Sequence, residues 1–189
     1  FEATIEDCLQ SNLRFLSETE LKEVIQKYCY VDVNIYSLFR LKIMETLLNA
    51  GIRVTVYGNC WEYTDLCNYP NFIYKGGCSL EDGIHLMEDS KIVLNQLANS
   101  KAGASERIFE AMLQGAIALT DDSLYLKENF KDSVNIKFYS LEHLDTLPNI
   151  VRSILSDPAS AETIRRNAYE KANAEHTWLH RASMLYRDL

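Results

Sequence analysis

The segment richest in chemical possibilities runs Ser90-Lys91-Ile92-Val93-Leu94-Asn95, then Gly103-Ala104-Ser105-Glu106-Arg107-Ile108-Phe109-Glu110-Ala111-Met112, then Gly115-Ala116-Ile117-Ala118-Leu119-Thr120-Asp121. An apolar strand ending at Asn95, a small-residue loop around Gly103 and a helix opening near Ser105 together build an anion site. The first amides of a helix lack carbonyl partners, and the helix dipole is positive at that end. A pyrophosphate fits such a site. Helical spacing puts Ile108, Phe109, Met112 and Leu113 on the buried stripe, with Glu106, Arg107, Glu110 and Gln114 on or beside the exposed one. Glu110 falls on the seam near the strand ends, where a carboxylate could accept hydrogen bonds from both hydroxyls of a ribose. The plainer alternative is an ordinary i,i+3 pair between Arg107 and Glu110, worth about 0.2–0.5 kcal/mol.

Two glycine-bearing loops follow predicted strands. In Tyr57-Gly58-Asn59-Cys60-Trp61, Gly58 allows a ligand to approach the backbone, and Trp61 is either a ring platform or a cap on the core. In Lys75-Gly76-Gly77-Cys78, the paired glycines permit close contact with a planar base, or form an ordinary turn. Asp121-Asp122 could bind a divalent cation through oxygen, but an Asp after a buried strand more often caps the next helix, and capping is the expectation. His176-Thr177-Trp178 with Arg181 falls among the C-terminal helices, where Trp178 is expected to pack against the domain. The four histidines (His85, His143, His176, His180) have no partners evident in sequence. No Ser/His/Asp order, P-loop or G-x-G-x-x-G is present. Cys60, Cys67 and Cys78 with His85 are spaced by seven and eleven, then seven, which matches no common zinc pattern. The five cysteines read as reduced, cytoplasmic thiols.

The elements that must position these residues follow from periodicity. Ser17-x-x-Glu20 is a capping-box pattern ahead of Leu21, Val24 and Ile25. A second helix runs through Leu38, Leu41, Ile43, Met44, Leu47 and Leu48 and stops near Gly51. From Ile52 short β-branched runs alternate with helical stretches. The pattern predicts strands at 53–57, 71–74, 91–95, 116–120 and 135–138. It predicts helices at 80–89 after Ser79-x-x-Asp82, then at 105–114, 123–129 and 141–156. A further helix opens on Asp157-Pro158, and a last one covers 178–186. Strands as uniformly apolar as Ile92-Val93-Leu94 and Ala116-Ile117-Ala118-Leu119 suit parallel strands covered on both faces. The fold expected is α/β: a Rossmann-like doubly wound parallel sheet with helices on both faces and extra N- and C-terminal helices. Ligands of such sheets sit beyond the carboxyl ends of the strands.

Composition is that of a globular domain: 189 residues, 47% hydrophobic, 24% charged. A chain this long buries roughly 70% of its unfolded surface and needs no disulfide or metal to hold a core. A net charge of −8 argues against nucleic acid or an anionic membrane as partner. No apolar run approaches the roughly 20 residues of a membrane span. The first ten residues carry Glu2, Glu6 and Asp7 without a basic residue, unlike a secretory leader, and Phe1 points to an excised or processed chain.

Gly58 to Trp61, Ser90 to Asn95, Gly103 to Gly115 with its Glu110-Ala111, and His176-Thr177-Trp178 together resemble the C-terminal domain of group 1 glycosyltransferases with the GT-B fold, in the branch that includes spore-maturation-type proteins. The resemblance covers most of residues 30–186, and its centre is Arg107-Ile108-Phe109-Glu110-Ala111-Met112 followed by Gly115. It implies two Rossmann-like domains facing a cleft, the C-terminal one holding a UDP- or GDP-linked sugar donor without a metal or other cofactor. By that resemblance Glu110 contacts the ribose and the amides from Gly103 through Ser105 and Glu106 to Arg107 meet the pyrophosphate. Arg107 is then the catalytic charge on the leaving diphosphate. Gly58, Asn59, Trp61, Gly76 and Asn95 complete the donor-binding set, with the loop 75–79 against the base.

Many members carry a second glutamate eight positions before the ribose-binding one. Here that position is Ala102, and Glu106, one helical turn from Glu110, is a poor substitute, so neither stereochemistry nor donor sugar follows. Residues 1–189 are then one nucleotide-sugar-binding domain whose N-terminal partner domain, with the acceptor site, is absent, and which alone turns over little or nothing. The acceptor is unknown. The alternatives are a non-catalytic nucleotide-binding or interaction module of the same fold, and a receiver-like domain using Asp121-Asp122.

Overall fold

The computed structural model describes residues 17–97 and 101–187. The chain divides into two compact units, Phe1–Leu38 and Phe39–Leu189. Where two helices are expected before Gly51, the described residues form one, α1 (Glu18–Asn49). Its sequence contains neither Gly nor Pro, so no residue in it interrupts the backbone ladder. The capping box forms at its start: the Ser17 amide donates to Glu20 Oε2 at 2.8 Å and the Glu20 amide to Ser17 Oγ at 3.4 Å. The hydroxyl and amide of Ser17 hold the Glu20 carboxyl below its ordinary range. The first unit, as far as it is described, is the leading part of this helix.

In the second unit α1 buries Ile43, Met44, Leu47 and Leu48. It ends in a Schellman motif, with Ile52 N–H on Leu47 O at 3.1 Å and Gly51 N–H on Leu48 O at 2.9 Å. Gly51 takes φ +76°, which a side chain would resist. Then follow β1 (Val54–Val56), β2 (Phe72–Tyr74), α2 (Leu80–Glu88), β3 (Ile92–Leu94), α3 (Glu106–Leu113), β4 (Ile117–Asp121), α4 (Leu124–Asn129), β5 (Lys137–Tyr139), α5 (Leu147–Ser156), α6 (Pro158–Glu175) and α7 (Trp178–Arg187). The expected helix 141–156 is shorter, because Pro148 belongs in a first turn and a 3₁₀ turn, Leu144–Thr146, precedes it. Ser79, Ser123 and Asp157 cap α2, α4 and α6 through their side chains.

Strands β1 and β2 form one parallel sheet, and β3-β4-β5 a second. β4 lies at the centre of the second sheet with all five residues buried. Alternate side chains point to opposite faces. Ala118 packs with Ile108, Ala111 and Met112 of α3 and with Ala168 and Ala172 of α6. Leu119 packs with Ile43 and Leu47 of α1 and with Leu147 and Val151 of α5. Leu94 joins the cluster that holds Val56 and Phe72, so the two sheets share a core although no ladder joins β1 to β3. No helix among the described residues is long and apolar enough to cross a membrane.

Candidate functional site

The parallel ladder of β1 and β2 continues past both strands: Lys75 N–H donates to Val56 O at 3.0 Å, and Gly58 N–H to Gly76 O at 2.8 Å. The two glycine loops are therefore brought side by side. A Cβ on Gly77 would lie 2.6 Å from Asn59 Oδ1, so Gly77 is where Asn59 comes against the second loop. Trp61 stands at the same end, its ring 6.0 Å from Phe72, with the Arg40 guanidinium 5.9 Å from its centroid. Tyr74, the last residue of β2, donates its hydroxyl to Glu62 at 2.7 Å. That bond pushes the Tyr74 phenol up to about 12 and holds the Glu62 carboxyl below its usual range. Trp61 is thus both half-buried and presented beside Gly58.

Asn95, directly after β3, is 3% exposed and turned into the sheet. Its side-chain amide donates to Thr120 Oγ1 at 3.0 Å, its backbone carbonyl accepts the Tyr139 hydroxyl at 2.9 Å, and its backbone amide donates to Leu119 O at 2.8 Å. The ends of β3, β4 and β5 are fastened together through this one residue. Its Oδ1 is buried with no hydrogen-bond partner among the described residues.

The loop ahead of α3 is held from beneath by the turn after β4. Asp121, 1% exposed, accepts the Leu97 amide at 2.6 Å on one oxygen and the Lys101 ammonium at 2.8 Å on the other. Ser123 Oγ donates to Gly103 O at 2.5 Å, and Leu124 N–H to Lys101 O at 2.8 Å. Asp121-Asp122, placed after a buried strand where a helix cap is expected, does not cap the next helix. Ser123 does so instead, and Asp121 anchors the loop because its side chain lies beneath residues that a local reading cannot bring to it.

Ser105 is the N-cap residue of α3 by backbone geometry, but its side chain makes no capping bond. Ile108 N–H reaches Ser105 O at 3.1 Å, and the amides of Glu106 and Arg107 are without partners among the described residues. Glu106 and Arg107 are exposed and Glu110 is half-buried. None of these three side chains enters an ion pair among the described residues, so the i,i+3 pair between Arg107 and Glu110 does not form. A helix N-terminus with open amides, a guanidinium outside any ion pair among the described residues and a half-buried carboxylate one turn inside can hold a phosphate and accept hydrogen bonds from hydroxyls.

The C-terminal motif departs from expectation. Trp178 is 76% exposed rather than packed, whereas His176 is 8% exposed and contacts Tyr125, Phe109, Phe130 and Arg181. Tyr125 and Arg181 lie 51 and 5 residues from His176, and no periodic signal links Tyr125 to it. Cys29, Cys60, Cys67 and Cys78 are free and exposed; Cys8 lies outside the described residues. No cluster of three or more metal-ligating side chains occurs among the described residues.

Parallel sheets between helices, with these loops at the carboxyl ends of the strands, define a Rossmann-like α/β domain. A family model described as glycosyl transferase-like matches residues 40–187. The chain belongs to that family. HepE of Anabaena in complex with UDP-glucose superposes with a TM-score of 0.61 at 19% identity, over 77% of this chain and 45% of that one. Sucrose-phosphate synthase of Thermosynechococcus elongatus gives 0.63 at 18% identity over 79% and 42%. A glycosyltransferase of Rickettsia africae gives 0.62 at 14% identity over 93% and 53%. The chain thus spans between 42% and 53% of the length of these three structures. No curated protein matches the sequence.

Proposed function

We propose that this chain is the donor-binding half of a GT-B glycosyltransferase of group 1, in its spore-maturation-like branch, working with an N-terminal domain that carries the acceptor site. The donor is a UDP- or GDP-linked sugar. The observation that carries the reading is Glu110: a half-buried carboxylate with no ion-pair partner among the described residues, one turn inside a helix whose first amides are open. In this role Glu110 accepts both ribose hydroxyls, and the amides of Glu106 and Arg107 meet the diphosphate. Asn59 and the loop from Gly76 onward lie against the base, beside Gly58 and Trp61. As the bond from the anomeric carbon to the diphosphate oxygen breaks, negative charge grows on the leaving group, and Arg107 with the helix N-terminus stabilises it without a metal. Asn95, Gly103 and Ser105 hold this arrangement in place. Four exposed free thiols suit a reducing, cytoplasmic setting.

Calorimetric titration of the chain with UDP, GDP, UDP-glucose and GDP-mannose, without and then with magnesium, tests the reading. One nucleotide series binds the wild type, and Glu110→Ala weakens it at least tenfold, as expected for hydrogen bonds to a charged acceptor worth about 1.5–3 kcal/mol. Indifference to Glu110→Ala, or no binding at all, overturns it. Ala102 favours a second reading, a module that binds nucleotide without transferring sugar. Donor binding without donor hydrolysis, measured on the protein with its N-terminal domain, distinguishes the two.

A further inference from the structure

His176 stands between α6 and α7, with its ring centroid 5.2 Å from that of Phe109 at an interplanar angle of 29° and 5.0 Å from that of Phe130 at 32°. Its Nδ1 lies 3.1 Å from the Tyr125 hydroxyl and 3.1 Å from an Arg181 guanidinium nitrogen, which itself donates to that hydroxyl at 2.5 Å. A guanidinium only donates, so Nδ1 is an acceptor and the ring is the neutral tautomer protonated at Nε2. Nε2 is buried with no hydrogen-bond partner among the described residues. A proton on Nδ1 would face a guanidinium N–H and place a second positive charge against two phenylalanine rings. Arg181 also lies 5.8 Å from the Phe109 centroid and 5.6 Å from that of Tyr125, so all three elements meet on this ring system.

Phe109 immediately precedes Glu110 and is two residues from Arg107 in α3. On its buried side α3 is fixed by Ile108, Ala111 and Met112 against Ala168 and Ala172. Phe109, on the flank, packs against the same cluster and against the rings of Tyr125, Phe130 and His176, and of these three rings the imidazole is the one that can gain a positive charge. We infer that His176 is a positioning residue for the nucleotide site: with Tyr125 and Arg181 it holds Phe109, and through it the register of Arg107 and Glu110, and protonation of the ring releases that hold. The inference rests on the donor reading above. The charged and titratable groups around the ring are Arg181 and His180 of α7, Lys171 and Glu175 of α6 and Tyr125 of α4, while α3 contributes the Phe109 ring. Burial and the Arg181 charge hold the ring below the ordinary histidine value, with Glu175 acting against them and Lys171 and His180 with them. The acceptor state therefore prevails at neutral pH.

The test follows the backbone amide resonances of Arg107 and Glu110 in the ¹⁵N-labelled chain as pH falls, in the wild type, His176→Asn and Arg181→Gln. Asn keeps an acceptor near the Nδ1 position and cannot be protonated. In the wild type the two amides shift with the midpoint of the His176 ring, below about 6.5. The shift is lost in His176→Asn and moves to higher pH in Arg181→Gln, where the opposing charge is gone. UDP-glucose and GDP-mannose, whose diphosphates do not titrate in this window, are then bound at matching pH values. Affinity for the preferred one falls at least fivefold through the same midpoint in the wild type and stays level in His176→Asn. Amides that ignore the ring, or an affinity with the same pH dependence in both proteins, overturn the inference. Amides that follow the ring while neither nucleotide sugar binds at any pH overturn the donor reading and, with it, the role of His176 in binding, with the coupling of His176 to α3 left standing. If His176→Asn does not fold, the midpoint in Arg181→Gln decides the coupling.

Discussion

Lys101 Nζ lies 2.8 Å from Asp121 Oδ2 in a pair whose aspartate side chain is 2% exposed and whose lysine side chain is 44% exposed. The lysine comes to a carboxylate that is already buried at the end of β4 and already accepts the Leu97 amide. Asp121→Ala leaves the buried Leu97 amide without its acceptor while the half-exposed ammonium turns to solvent, and is expected to cost about 1–3 kcal/mol of stability. Chemical denaturation measures this, and a loss under about 1 kcal/mol removes Asp121 as the anchor of the loop. Asp121→Asn keeps an acceptor for Leu97 and falls between the two.

Arg107 is exposed and free of ion pairs among the described residues, so Arg107→Ala leaves the unfolding free energy within about 0.5 kcal/mol of wild type. On the proposed donor role, the same substitution is expected to weaken nucleotide-sugar binding about tenfold and to flatten its dependence on salt, through loss of a charge-assisted contact to phosphate. A variant with unchanged affinity excludes the guanidinium from the diphosphate site.

Gly77→Ala sets a methyl group 2.6 Å from the original place of Asn59 Oδ1. Asn59 is exposed, so its side chain swings away at little cost to stability. Expected are a melting temperature within about 2 °C of wild type, by the relation between small stability changes and melting temperature, and a several-fold loss of nucleotide affinity. Equal affinity in the two proteins places the base elsewhere than the paired glycine loops.

His176 makes stability depend on pH. Its folded-state value lies below the unfolded one, so on acidification the unfolded chain takes up the proton first. The contribution of the neutral ring is complete above about pH 6.5 and is lost as pH falls toward the folded-state value. Denaturant midpoints measured between pH 7.5 and 5 fall in the wild type, and this component is absent in His176→Asn. A wild type that gains stability over the same interval would have the sign reversed.

Helix capping and strand identity were readable along the chain because both depend on neighbours within a few residues. Ser17 with Glu20, Ser79 with Asp82, and Asp157 with Pro158 all cap as their spacing predicts. The uniform apolarity of Ile117-Ala118-Leu119 correctly marks a strand with helices on both faces. Merging of two expected helices into α1 was less legible: a stretch with weak periodicity stays helical when no residue stops it. Trp178, expected to pack against the domain, is exposed while His176 beside it is buried, since burial near a chain terminus is decided by what lies opposite.

The sequence by itself determined the α/β class, the order of the elements and the candidate segment from Gly103 to Glu110, because hydrophobic period, caps and glycine stops are local properties. Tertiary structure alone decided the rest. It set Gly58 against Gly76, Lys101 against Asp121, Ser123 against Gly103 and Tyr125 against His176, pairs 18 to 51 residues apart. It also left Glu110 without the ion pair that its own helix offered. Such contacts follow from the packing of strands side by side and of helices across them, and a polar atom takes whichever partner that packing buries beside it.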